Sequence, residues 1–226
     1  MIYINIQKEL HGSTGAMQLS LALEIQEGSF VALHGKSGSG KTTFLRILAG
    51  LEDAKGKIQV GEKIWQDNAS KLAVQKREIG FVFQDYALFE NMTILQNLLY
   101  VSKDKNLAKH LLKVTELDAL KDRYPNTLSG GQKQRVSICR ALMKKPKILL
   151  LDEPFSALDL EIKEKLHSEL ITLHKEFQTT TIMVSHDLSE IHKLSSHMVV
   201  LEDGKIVKNG ITQELLKTEQ TTSFTL

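Results

Sequence analysis

The chain has 226 residues, 42% hydrophobic and 25% charged, with 29 lysines and arginines set against 27 aspartates and glutamates. A formal net charge of +2 is too small to mark a nucleic-acid partner or an anionic membrane surface, so any anion site has to be assembled locally. A single cysteine, Cys139, excludes an internal disulfide framework and fits a reducing compartment, and no stretch reaches the uninterrupted apolar length of a membrane helix.

The opening MIYINIQKEL lacks the basic segment, apolar run and cleavage site of a signal peptide. Its alternating residues pair naturally with those of QLSLALEIQEG across the turn-rich HGSTG, which predicts a β-hairpin leading into a buried strand FVALH, Phe30 to His34. A glycine-rich turn and a helix follow, with Phe44, Ile47, Leu48 and Leu51 spaced as one apolar face and Gly50 marking the end. Short apolar strands recur at IGFVF, ILLLD and TTIMVS, separated by helical patterns such as Leu166, Leu170, Leu173 and Phe177. Strands alternating with helices predict an α/β fold with a parallel sheet covered on both faces. Between Asp85 and Lys145 the pattern is helical alone, and Cys139 reads as packing in one of those helices, beside Val136, Ile138 and Leu142. Asp203-Gly204 joins two strand-like runs in MVVLEDGKIVKNG as a hairpin, and the tail TTSFT reads as frayed. One domain with an inserted subdomain follows: residues 1–85 and 146–226 as the sheet core with its β part, and 86–145 as an all-helical insertion.

Gly35, Lys36, Ser37, Gly38, Ser39, Gly40, Lys41 and Thr42 satisfy the phosphate-loop pattern, between a predicted strand and a predicted helix, with Thr43 next in the same helix start. Glycines let backbone N–H groups turn inward around phosphates, and the helix presents its positive end to them. Lys41 supplies a point charge to the β- and γ-phosphates, and the Thr42 hydroxyl suits Mg²⁺. The strand ILLLD delivers Asp152 and Glu153 at its C-terminal end, where ligands bind in open α/β sheets. Asp152 is the candidate to hold Mg²⁺ through its water shell, and Glu153 the candidate to polarise an attacking water.

A second glycine-rich loop, Leu128-Ser129-Gly130-Gly131-Gln132, starts another predicted helix. On these motifs the chain resembles the ATP-binding-cassette (ABC) family along essentially its whole length, with the P-loop NTPase (RecA-like) core, antiparallel N-terminal β part and inserted helical subdomain which that implies. The resemblance implies an ATPase with ATP and Mg²⁺ as cofactors, in which the signature loop of one subunit caps ATP held by the phosphate loop of the other. It also implies that Gln84 ligates Mg²⁺ or water, that Asp159 in Ser156-Ala157-Leu158-Asp159 communicates across the dimer, and that His186 contacts the γ-phosphate. Tyr86, Leu88 and Phe89, in the segment after Gln84, would line a groove for a permease coupling helix. The chain departs from the family before the phosphate loop, where HGSTG offers only His11 in place of an adenine-stacking aromatic residue.

The partners so implied are transmembrane permease subunits at the cytoplasmic face of the membrane, an identical or related second cassette, and an extracytoplasmic substrate-binding protein, with no nucleic acid. The short start, the missing aromatic and VFQDYALFENMTILQNLLY together resemble the ATPases of molybdate importers, with sulfate-type and other importers close behind. Such subunits often carry a C-terminal regulatory domain; with the sequence ending at Leu226, regulation by bound oxyanion is not expected on this one. An exporter or lipoprotein-release ATPase is the alternative within transport. A non-transport cassette acting on DNA or ribosomes fits less well, because a single cassette with balanced charge and fewer than a hundred positions from Lys41 to Leu128 leaves no room for long coiled coils.

Overall fold

A computed structural model of the chain describes residues 1–12, 15–156 and 158–222. These divide into two compact units, Met1–Arg77 with Thr180–Leu226, and Glu78–Thr179.

In the first unit, β1 (Ile2–Gly12) and β2 (Gly15–Ile25) pair antiparallel, as the alternation predicts, and β1 pairs on its other side with β4 (Lys55–Val60). Ile2, Ile4, Ile6, Leu19, Leu21, Leu23, Ile25 and Ile58 are buried while their neighbours face out, so the two-residue period alone selects the buried face. β4 continues into β5 (Lys63–Gln66), a hairpin unforeseen from the sequence. The parallel part is β3 (Phe30–His34) between β8 (Thr180–Val184) and β9 (His197–Glu202). β9 turns back into β10 (Lys205–Ile211) at Asp203-Gly204 as expected. Helices α1 (Lys41–Ala49), α6 (Leu188–Leu194) and α7 (Thr212–Thr222) complete this unit. Leu216 of α7 and Ile191 of α6 close over Ala32, Met198 and Val200. Thr221 and Thr222 of the expected frayed tail are therefore helical, and the rest of that tail lies outside the described residues.

Helix α1 buries Phe44, Ile47 and Leu48, but Leu51 is 42% exposed. Gly50 takes a left-handed φ of 81° and its N–H returns to the carbonyls of Arg46 and Ile47, so the helix stops before Leu51 can join the apolar face. What closes the end of α1 is Arg77, 2% exposed. Its Nη1 donates to the carbonyls of Ile47 at 2.9 Å and Leu48 at 2.7 Å, and its guanidinium lies 5.7 Å from the Trp65 ring centroid. A cation there meets the Leu48 carbonyl, shares the Ile47 carbonyl with the Gly50 N–H, and faces the negative end of the helix. Burial lowers its pKa from the ordinary arginine value, as a desolvated cation requires. Arg77→Met keeps the apolar stem and strands the Leu48 carbonyl, so we expect a loss of about 2 kcal/mol and a Tm lower by roughly 4–8 °C in thermal melts.

In the second unit, β6 (Ile79–Val82) and β7 (Ile148–Asp152) pair in parallel. Between them lie α2 (Ile94–Val101), α3 (Lys105–Val114) and α4 (Gly130–Leu142), with no strand, as the helical pattern predicts. α5 (Leu160–Phe177) follows β7 and buries Leu166, Leu170 and Leu173, with Phe177 half-buried at its end. Cys139 is fully buried beside Thr115, and desolvation pushes its thiol up to about 12, so it serves as packing. Asn97 of α2 is also fully buried. Its Oδ1 accepts from the Phe89 N–H, and its Nδ2 donates to the carbonyls of Phe89, Met92 and Thr93, which sets the shape of the loop entering α2.

Candidate functional site

The phosphate loop leaves β3 at Gly35 and enters α1 at Lys41. Gly35 has φ 144°, and a Cβ there would lie 2.1 Å from the carbonyl oxygen of Leu201 in β9, so no other residue fits. Gly40 takes φ 98° at the N-cap of α1, with the loop resting on Leu19 of β2. Lys41 folds back over the loop, its Nζ donating to the carbonyls of Gly35 at 2.7 Å and Lys36 at 2.8 Å. Ser39 and Lys41 are buried, whereas Lys36, Ser37, Gly38 and Thr42 are exposed and Thr43 is half-buried. The loop thus has a fixed frame and an open rim at a helix N-terminus, the arrangement that receives a polyphosphate.

His186 belongs to this unit. Leu33 of β3 registers with Val184 of β8, and the His34 ring nitrogen lies 3.2 Å from the Ser185 carbonyl, so the chain reaches His186 one strand away from Gly35. The turn is held by Ser185, which donates to Glu190 at 2.6 Å, and by Asp187, which caps α6 through the N–H groups of Ser189 and Glu190. The His186 side chain is exposed.

The second unit gathers the remaining candidates. Val82 of β6 registers with Leu151 of β7, so Gln84 and the pair Asp152-Glu153 leave the sheet from adjacent strands. Asp152 is buried and Gln84 exposed. Glu153 has φ 46°, a left-handed conformation that costs a non-glycine residue on the order of 1 kcal/mol. The turn is secured by Ser156, whose N–H and hydroxyl both donate to the Glu153 carbonyl, and by Phe155, buried edge-on against His167 with centroids 4.5 Å apart.

The signature loop opens α4 with a reciprocal cap: Ser129 Oγ accepts from the Gln132 N–H, and Gln132 Oε1 accepts from the Ser129 N–H. Leu128 is buried beneath it. Gly131 packs on α5, where a Cβ would meet Ile162 Cγ2 at 2.5 Å, so this glycine has a packing duty independent of any nucleotide. Asp159 is the exposed N-cap residue of α5, and Ala157, in the same stretch, lies outside the described residues. Of the groove candidates, Tyr86 and Leu88 are half-buried and Phe89 is 37% exposed. The side chain of His11, the substitute for an adenine-stacking aromatic, is outside the described residues.

Thr42, Gln84 and Asp152 offer a hydroxyl, a carboxamide and a carboxylate, all hard oxygen donors of the kind Mg²⁺ takes. Among the described residues no group of three or more His, Cys, Asp or Glu could hold a metal unaided. Each of these donors, taken by itself, is of the kind that suits an ion brought in with nucleotide phosphates.

The family model described as ABC transporter matches residues 19–156, more than half of the chain. The chain belongs to the ABC transporter family. This ABC chain is 48% identical over 221 residues to the probable sulfate/thiosulfate import ATP-binding protein CysA of Chlorella vulgaris, covering 93% of this chain and 91% of that protein. It is 40% identical over 224 residues to the sulfate/thiosulfate import ATP-binding protein CysA of Synechocystis sp., covering 95% of this chain and 61% of that protein. A CysA of Shewanella oneidensis is 44% identical over 211 residues, and the chain spans 59% of it. The ABC chain therefore spans only about three fifths of the length of these last two relatives.

Among solved structures, the ATP-binding cassette MJ0796 in a dimeric post-hydrolysis state bound to ADP and Pi matches with a TM-score of 0.79 at 30% identity, covering 94% of this chain and 99% of that one. CbiO1 from Clostridium perfringens, described as part of the ABC transporter complex cbiONQ, matches with a TM-score of 0.83 at 26% identity, covering 97% and 92%. The expected α/β cassette fold stands, and the chain is an ATPase of the ABC type. The leaning toward molybdate-importer relatives is corrected: sulfate/thiosulfate stands in the names of these three relatives. No helix among the described residues is long and apolar enough to cross a membrane.

The residues that sequence reasoning missed are Arg77, Asn97 and Arg140. Each is a polar side chain whose partners are mainly backbone carbonyls. Only Arg140 left a local hint, sharing a helix face with Ser137 three positions earlier.

Proposed function

We propose that this chain is the ATP-hydrolysing subunit of an importer for a sulfate-type oxyanion, dimerising on ATP beneath a separate membrane permease at the cytoplasmic face. The nucleotide chemistry rests on one observation above others, the phosphate loop framed between β3 and α1 with Lys41 anchored across it. The cargo is carried by the 48% identity to a sulfate/thiosulfate import protein along nearly the whole of both chains. The exporter and non-transport readings have no comparable support.

In this reading Lys41 and the loop N–H groups hold the β- and γ-phosphates, and His186 reaches the γ-phosphate. Glu153 accepts the proton of the water that attacks phosphorus in line with the departing ADP oxygen. Thr42, Gln84 and Asp152 hold Mg²⁺, which neutralises phosphate charge. The loop Leu128, Ser129, Gly130, Gly131 and Gln132 serves the nucleotide of the opposite subunit, Asp159 lies at the dimer contact, and residues 86–145 act as the signature subdomain. Tyr86, Leu88 and Phe89 receive the permease. The second cassette is a copy of this chain or a related one, and an extracytoplasmic binding protein delivers the oxyanion.

The reading is tested by uptake of radiolabelled sulfate and thiosulfate in a strain lacking the protein, with cellular molybdenum measured in parallel. Sulfate uptake should fall to background and return with the parent gene, but not with Glu153→Gln. Unchanged sulfate uptake with lost molybdenum would restore the molybdate reading, and no change in either would remove oxyanion import.

A further inference from the structure

Tyr86 and Ala87, just after Gln84, are consecutive non-glycine residues in the left-handed region, with φ 63° and 47°. Such a pair costs on the order of 2 kcal/mol and persists only where its surroundings impose it. What imposes it is α4. Arg140 donates through Nη1 to the Ala87 carbonyl at 2.6 Å and through Nη2 to the Tyr86 carbonyl at 3.2 Å, and Ser137 Oγ donates to the same Tyr86 carbonyl at 3.1 Å. The guanidinium also lies 5.4 Å from the ring centroid of Phe89, whose ring packs at a tilt of 60° against Tyr100 with centroids 4.8 Å apart. Its partners among the described residues are carbonyls and a ring, none of them a carboxylate.

At the other end of the helix, the Tyr86 hydroxyl sits 3.3 Å from where a Cβ of Gly130 would be, with Leu158 Cδ2 at 3.5 Å. Tyr86 is therefore tied by its carbonyl to the third turn of α4 and rests its phenol on the first residue of the same helix. A planar fork that reaches two successive carbonyls can do this, whereas a lysine ammonium meets them as a point charge.

We propose that Arg140 is a positioning residue that locks the segment 86–89 to the signature helix, so that a displacement at Phe89 moves the signature loop at Gly130. The proposal rests on the cassette reading above, in which the signature loop completes the nucleotide site of a second subunit. Arg140 acts through Tyr86 and Ala87, whose carbonyls it holds.

The test uses the whole 226-residue chain and compares parent, Arg140→Met, Arg140→Lys, and Arg140→Lys combined with Ala87→Gly. ATPase kcat, nucleotide Kd measured at concentrations where the chain is monomeric, and the thermal melt are read together. Arg140→Met should lower kcat about tenfold or more, as a small misplacement of a site does, while nucleotide Kd stays within about twofold. Arg140→Lys should fall between the two. Ala87→Gly should recover part of its loss, because glycine takes a left-handed φ without strain and needs less holding. Parent-like kcat in Arg140→Met, or a loss of kcat matched by an equal loss of nucleotide binding, would overturn the clamp. So would the absence of any recovery in the double variant. An inactive parent would instead count against the cassette reading, and against the clamp with it.

Discussion

Glu153→Gln is expected to bind ATP with parent-like affinity, to hydrolyse it at least about 100-fold more slowly, and to accumulate as an ATP-bound dimer. The side chain keeps its shape and volume and loses only basicity. The turn that presents it is held by groups that the substitution leaves in place: Ser156 bonds to the Glu153 carbonyl, and Phe155 is anchored on His167. The left-handed φ of 46° is equally available to glutamine, so the substitution tests chemistry and leaves the backbone alone. Single-turnover hydrolysis gives the rate, and light scattering with and without ATP gives the oligomeric state. Hydrolysis at the parent rate would remove Glu153 as the base. Slow hydrolysis without a dimer would leave the base in place and point to a related partner cassette in place of a second copy.

Lys41→Ala is expected to weaken ATP binding by about 100-fold or more, the order of a lost charge-assisted contact to phosphate compounded by disorder of the loop. Both losses follow from the geometry. The buried ammonium donates to the carbonyls of both Gly35 and Lys36 and so ties the two ends of the turn together. Without it both carbonyls lose their charged partner, the Lys36 carbonyl keeping the Ser39 N–H, and their partial negative charge is left uncompensated where phosphate arrives. Titration calorimetry with ATP reads the affinity, and a circular-dichroism melt separates it from unfolding. Parent-like affinity would show that the backbone N–H groups carry the phosphate unaided.

The phosphate loop, Asp152-Glu153 and the signature loop were legible because each is a local device. Gly35 to Thr42 encode their turn and helix start in neighbouring residues, and the Ser129–Gln132 cap is closed within four positions. Period-two alternation was enough for β1 and β2, and short apolar runs for β6, β7 and β8. The β4–β5 hairpin was missed although Lys55 to Gln66 alternates, because lysines occupy its outward positions and dilute the apolar signal. Leu51 was misplaced for the opposite reason: helical spacing continued past a glycine that ends the helix.

The sequence by itself determined the family's motifs: the glycine-rich loop between β3 and α1, the carboxylate pair that ends β7, and the loop that opens α4. Only the tertiary structure decided that Arg77 closes α1 from 29 positions away, and that Arg140 holds Tyr86 across 54. The reason is physical. These arginines recognise backbone carbonyls, which every residue carries, so nothing in the composition of their partners marks them. The pairing exists only once helix ends and left-handed turns have aimed those carbonyls at a desolvated cation.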